Sequence, residues 1–210
     1  MNDQINYSYN HFGPFLFKTK LPDQIITNLL QEAYKTKESY NENLAGHIDN
    51  QFIYPIKVRE WFYSNIGPYI NAYRQGHCKF HGIPSLPVQL EGPDLWVNFM
   101  KNGDYNPPHV HGDDYSFVIY LDVPKEIANE AEQFKGTGIK PGSIQFVYTQ
   151  EARPRWATTS VSHFPETGEM FIFPALLQHY VAPFKSKVTR ISVSGNLKIS
   201  NKDELPKGYF

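Results

Sequence analysis

The chain changes texture once, near residue 82, and the change divides helices from strands. Before it, apolar residues recur at helical spacing: Ile25, Ile26, Leu29, Leu30 and Ala33 follow Pro22 and Asp23, which suit a first helical turn. A second helix is predicted over Ile56–Tyr73. Trp61, Phe62, Ile66, Tyr69 and Ile70 share one face, and Lys57, Arg59, Asn65 and Asn71 take the other. A Gly/Asn-bearing loop over Lys37–Asn50 lies between them. After Gly82, the breakers Pro84, Pro87, Gly92 and Pro93 give way to short alternating runs. These are Leu95–Met100, Ser116–Val123, Ser143–Tyr148, Trp156–Ser162, Glu169–Phe173, Gln178–Ala182 and Val188–Ile199. Many short strands separated by turns predict an antiparallel sandwich or barrel. Helices first and strands later predict an α+β domain rather than a doubly wound one. Exposed loops are expected at Gly136–Gly142, Glu151–Arg155 and the tail Asn201–Phe210.

At 210 residues the expectation is one domain, with helical support over 1–82 and the strand-rich core over 83–200. Aromatics at 15% and charged residues at 20% fit a packed globule. With 20 basic and 21 acidic residues the net charge is -1, so no nucleic-acid footprint is expected. Cys78 is the only cysteine, which precludes an internal disulfide and fits a reducing cytoplasm, bacterial or that of an infected host. No apolar run is long enough for a membrane span.

The chemistry concentrates in Pro107–Asp114, which reads Pro-Pro-His-Val-His-Gly-Asp-Asp. On an extended segment His111 and Asp113, two apart, leave the same face and can share a metal ion. A third ligand must come from elsewhere, and His179, 66 residues after Asp113, opens another apolar run. Two imidazoles and a carboxylate form the facial triad of non-haem Fe(II) oxygenases. A His-x-Asp pair alone is a weak signal. Eleven residues past His179 stand Arg190 and Ser192, again on one strand face. Their guanidinium and hydroxyl suit a carboxylate, such as the distal end of 2-oxoglutarate.

His-x-Asp, a distal His and Arg-x-Ser together resemble the 2-oxoglutarate/Fe(II) dioxygenase superfamily. Further segments resemble its 2OG-Fe(II) oxygenase branch of bacteria and phages, which is related to the prolyl 4-hydroxylases. They are Trp96-Val-Asn98, Asn106-Pro-Pro-His109-Val-His111, Tyr120-Leu-Asp-Val-Pro124, Gly168–Pro174, Gln178–Phe184 and Arg190–Asn196. Phe12–Phe15 and Leu44–His47 are similar but less specific. The resemblance implies a double-stranded β-helix, the cupin-type jelly roll, with Fe(II), 2-oxoglutarate and O₂ as cofactor and co-substrates. It implies metal ligation by His111, Asp113 and His179, and co-substrate binding by Arg190, Ser192, Tyr120 and Asn98. Hydroxylation of an unidentified substrate, possibly a protein or peptide and prolyl by analogy, would release succinate and CO₂. An Asp113 carboxylate fills the position that halogenating relatives leave open. The branch often has Pro or Asn after His-x-His, where this chain has Gly112-Asp113, so a scheme using His109 or Asp114 stays open beside the preferred His111 with Asp113. His109 is left to an outer or substrate-pocket place.

Other residues read as structure. His77, Cys78 and His81 lack a partner pair for zinc and are expected in a loop. Trp61 and Trp96 are expected in the core, and His47 and His163 at the surface, with the substrate mouth as the alternative; His11 has no context. Arg153, Arg155 and Trp156 are candidates for a lid. A cupin-like metal-binding or sugar-binding module would keep the metal ligands but have no use for Arg190. A nucleic-acid demethylase would call for a basic face.

Overall fold

The computed structural model describes residues 13–148 and 159–205. His11, Phe12, the Glu151–Arg155 loop, the lid candidates Arg153, Arg155 and Trp156, and the tail beyond 205 lie outside these residues.

Eleven strands among the described residues form two antiparallel sheets. They are β1 (Phe17–Lys20), β2 (Gln51–Ile53), β3 (Leu90–Glu91), β4 (Leu95–Met100), β5 (Asn106–His109), β6 (Tyr115–Asp122), β7 (Ile144–Val147), β8 (Ser160–His163), β9 (Glu169–Pro174), β10 (Gln178–Val181) and β11 (Arg190–Ile199). The large sheet runs β1-β9-β6-β11-β4-β2, with β3 paired to the end of β11; the small sheet runs β5-β10-β7-β8. From β4 onward the chain crosses repeatedly between the sheets, which is the winding of a double-stranded β-helix. The alternation around β4, β6, β9 and β11 predicts these strands to within a residue or two.

Helices α1 (Asp23–Ala33) and α2 (Ile56–His81) cover the outer face of the large sheet. Ile25, Ile26, Leu29 and Ala33 of α1 and Phe62, Ile66, Ile70 and Tyr73 of α2 meet Val97, Phe117, Ile119, Ile172 and Val193 in one apolar core. At about 25 cal/mol per Å² of apolar surface removed from water, this layer is the main stabilising element. A second core, between the sheets, gathers Met100, Tyr120, Ile127, Phe146, Phe171, Phe173 and Phe184.

Two expectations need correction. The first third is not purely helical, because β1 and β2 extend the large sheet at both edges. The His77–His81 stretch is not a loop but the last turns of α2. The helix continues until Gly82, whose φ of 67° lets the chain turn left-handed; there Ile83 donates its N–H to the Cys78 carbonyl at 3.0 Å. A third helix, α3 (Lys125–Gln133), was not expected from the pattern. It buries only Ile127 and Ala131, too narrow a stripe to signal itself.

Candidate metal and co-substrate site

Between the sheets lies a cavity of about 180 Å³. The small sheet and the turn after β5 supply histidines to it. The large sheet supplies a polar floor.

His179 of β10 pairs directly across the ladder with His109 of β5. Their ring centroids are 4.2 Å apart, and His111 lies 5.0 Å from His109 and 5.2 Å from His179. One ring nitrogen from each of the three lies within 4.8 Å of the others. Nitrogens that share a metal at about 2.1 Å stand about 3 Å apart when adjacent, so small ring rotations would close the group. The tautomers are set from behind. Nδ1 of His109 donates to the Pro107 carbonyl at 2.7 Å, and Nδ1 of His179 donates to the Leu177 carbonyl at 2.9 Å. Each Nε2 is then left with its lone pair, as a metal ligand needs. Burial, with the neighbouring rings, pushes the His179 pKa down to about 3 and that of His111 to about 4, and burial lowers that of His109. The rings are therefore neutral at neutral pH and ready to coordinate. A neutral three-imidazole set suits Fe, Zn, Ni or Cu.

The expected partner of His111 was Asp113, and the structure brings His109 into the group instead. The expectation rested on side-chain alternation along an extended segment. Residues 112–114 form a bend rather than a strand, so the alternation stops at His111. Asp113 is half-buried, and its charge acts on Tyr40 and Tyr63. Asp114 is structural. It accepts the Ile199 N–H at 2.8 Å and pairs with Lys202 at 2.5 Å, locking β6 to the end of β11.

The floor is built by alternation on β11. Ile191 and Val193 face the helices, whereas Arg190, Ser192 and Ser194 face the cavity. Arg190 is buried, with no carboxylate partner among the described residues. It donates to the Gly142 carbonyl at 2.7 Å and to Met100 Sδ at 2.8 Å, while its Nε has no partner. Gly142 has a φ of 73°, and a Cβ there would meet Ile127 at 2.6 Å, so only glycine presents that carbonyl without strain. Tyr120 lies under the guanidinium, 5.5 Å from its carbon to the ring centroid. Its hydroxyl is buried without a partner, and burial pushes its pKa up to about 12 despite the opposing Arg190 charge. A buried cation beside an orphaned hydroxyl is costly unless an anion joins them. The carboxylate of a bound dicarboxylic acid fits both.

Arg190, Ser192, Tyr120 and Asn98, all expected at the co-substrate end, do line this cavity. Gln51 was missed. It lies in β2, a three-residue strand with no alternation to reveal it. Trp96, expected as core, also lines the cavity, with its ring 6.2 Å from His111. Asn43, Leu44, Ala45, Gly46 and Ile48 of the Lys37–Asn50 loop complete the wall. His47 of that loop stacks on Tyr105 at 4.7 Å. His163 is not simply at the surface, because its Nε2 contacts Glu169 at 2.6 Å.

Comparison with known proteins agrees with this geometry. Residues 94–196 match the family model described as "Putative 2OG-Fe(II) oxygenase". No curated protein matches the chain. Among solved structures, the chain is similar to the viral collagen prolyl hydroxylase of Paramecium Bursaria Chlorella virus-1, determined as a 2OG complex. The identity is 16%, the match covers 87% of this chain and 94% of that one, and the TM-score is 0.53. A Pseudomonas putida prolyl-4-hydroxylase gives 13% identity over 89% and 93% of the two chains, with a TM-score of 0.52. HygX from Streptomyces hygroscopicus, with nickel, 2-oxoglutarate and hygromycin B bound, gives 10% identity over 91% and 84%, with a TM-score of 0.57. At such identities the structural likeness speaks for the fold, and the family match adds the chemistry. Residues 94–196 thus match the 2OG-Fe(II) oxygenases, and the fold around them is one that prolyl hydroxylases share, which together support an Fe(II)- and 2-oxoglutarate-dependent dioxygenase.

Proposed function

We propose that this dioxygenase hydroxylates an aliphatic C–H bond, with His109, His111 and His179 holding the iron and Arg190, Ser192 and Tyr120 holding the far carboxylate of 2-oxoglutarate. The observation that carries the reading is the buried Arg190 guanidinium beside the unpartnered Tyr120 hydroxyl, facing three histidines across one cavity. A module that only bound metal or sugar would carry that buried cation at a cost and gain nothing from it.

The roles follow from the chemistry of each group. His109, His111 and His179 would hold Fe(II) as neutral imidazoles, and the cavity they face would admit the co-substrate and O₂. With all three protein positions filled, none is left for a halide, which favours hydroxylation. Arg190 supplies charge and direction, and the Tyr120 hydroxyl supplies a second donor. Bound there, Fe(II) and 2-oxoglutarate supply an O₂-derived oxidant for C–H bonds. The chain's own task is to orient them and keep the cavity dry.

For substrate, we propose a peptide or protein, with a prolyl ring as the first candidate. The support is the likeness to prolyl hydroxylases and the loop residues Asn43–Gly46 and Ile48 that wall the cavity. The test is succinate release from 2-oxoglutarate with Fe(II), with and without prolyl peptides, with mass spectrometry for a 16 Da gain. Stimulated succinate and a hydroxylated peptide are expected. Peptides that neither stimulate nor gain mass would remove the prolyl reading. Absence of any 2-oxoglutarate turnover or binding would remove the site assignment.

A further inference from the structure

Four cavity-facing residues stand in one row across four strands of the large sheet. Gln51 of β2 is in register with Asn98 of β4, Asn98 with Ser192 of β11, and Ser192 with Tyr120 of β6. All four are buried. Gln51 Nε2 donates to Asn98 Oδ1 at 2.8 Å, and Asn98 Nδ2 donates to both Ser192 Oγ and the Ser192 carbonyl at 3.5 Å. Gln51 Oε1 and the Tyr120 hydroxyl, at the two ends, have no partner.

The row has a direction. A carboxamide is polar end to end, so donating an N–H to Asn98 Oδ1 fixes which way the Asn98 amide faces. Its oxygen is held toward Gln51 and its nitrogen toward Ser192. The Ser192 oxygen is then an acceptor on that side, and its single hydrogen is left for the cavity. Reversing Asn98 would turn its oxygen to Ser192, which would spend its proton there and offer the cavity only lone pairs. An anion in the cavity needs the first arrangement.

We infer that Gln51 is a positioning residue for 2-oxoglutarate, acting through Asn98 to aim the Ser192 hydroxyl at the co-substrate carboxylate. This rests on the assignment of Arg190, Ser192 and Tyr120 to that carboxylate. Gln51 lies outside residues 94–196, so the family match does not include it. It also lies on the sheet opposite His109 and His179, so it should leave the metal untouched.

The test titrates 2-oxoglutarate into the full-length, Fe(II)-loaded protein under anaerobic conditions. It follows the visible charge-transfer band of the chelate, with Fe(II) affinity measured in parallel. Gln51→Leu and Ser192→Ala are each expected to weaken 2-oxoglutarate about tenfold, with Fe(II) affinity unchanged. The double variant is expected to be no weaker than Ser192→Ala alone, because Gln51 acts only through that hydroxyl. A merely structural Gln51 would give additive losses, and additivity overturns the inference. Unchanged affinity in Gln51→Leu overturns it too. Should Gln51→Leu fail to fold, Gln51→Met keeps the length but offers Asn98 no donor. It is expected to lose at least tenfold, and full affinity in it is likewise fatal. Arg190→Met separates the levels. If it retains 2-oxoglutarate, the site assignment fails and the relay falls with it. If it loses 2-oxoglutarate while Gln51 variants do not, only the relay fails.

Discussion

The two faces of the large sheet do different work with the same strands. On β11, Ile191 and Val193 pack against helices α1 and α2, while Arg190 and Ser192, their immediate neighbours, face the cavity. The outer face is apolar and its polar groups are few. The inner face keeps a buried cation with no carboxylate partner among the described residues, and a hydroxyl with no hydrogen-bond partner. Stability is thus concentrated on one side of the sheet, and the other side tolerates an arrangement that is costly until a ligand completes it. Substitutions on neighbouring residues should therefore have opposite signatures.

The largest expected effect concerns the metal. His179→Ala or His109→Ala should remove Fe(II) binding and turnover. Each should cost more than the roughly 10–100-fold seen when only an outer partner of a ligand is lost. Asp113→Ala should stay within that range or below it, as measured by metal titration. Equal losses for Asp113→Ala and His109→Ala would return the carboxylate to the metal.

Next comes the outer face. Ile191→Ala should cost about 2–5 kcal/mol of folding stability. The folded fraction should keep its 2-oxoglutarate affinity, and denaturant unfolding with a parallel titration checks both. The inner face should invert this. Arg190→Met should weaken 2-oxoglutarate by about 1.5–3 kcal/mol. It should not lower the melting temperature of the metal-free protein, since it removes a buried, unpaired charge. A clear fall in melting temperature would mean that the bonds to Gly142 and Met100 outweigh the desolvation cost.

The smallest effect is in pH. Burial holds His111 near 4 and His179 near 3, below the roughly 6.5 of an unfolded histidine. As pH falls below that value, the unfolded chain takes up protons that the folded chain refuses. Metal-free stability should therefore be complete above about pH 6.5 and decline toward pH 4. Glu169, whose carboxyl is held low by its bonds to His163, Glu166 N–H and Lys18 against the effect of burial, adds loss in the same direction at more acid pH. Urea midpoints at pH 7 and pH 5 measure the slope, and His111→Gln should flatten it.

Legibility in the sequence followed the same division. Strands with one apolar face, β4, β6, β9 and β11, announce themselves by alternation, and so does α1 by its helical stripe. Arg190 and Ser192 were readable because they interrupt an apolar strand with groups that need a reason to be buried. β5 was not readable. Its residues Asn106-Pro107-Pro108-His109 carry no alternation, and two prolines argue against a strand anywhere but an edge. Missing β5 placed the periodicity at His111–Asp113, so the scheme using His109 ranked second. Gln51 was invisible for a related reason. A three-residue strand is too short for a pattern, and its function comes from lateral register, which no local window contains.

Those two prolines bear on the border of the small sheet. Among the described residues β5 is an edge of the small sheet, and its other side pairs with β10. An open edge is a template on which a second chain can add a strand. Pro107 and Pro108 offer no N–H to such a strand, so the border that carries His109 is poorly suited to growth of the sheet from chain to chain. Pro107→Ala with Pro108→Ala would restore a donor to that border, since adjacent strand residues direct their N–H groups to opposite edges. The cost would be read first as concentration-dependent self-association, before any loss of chemistry.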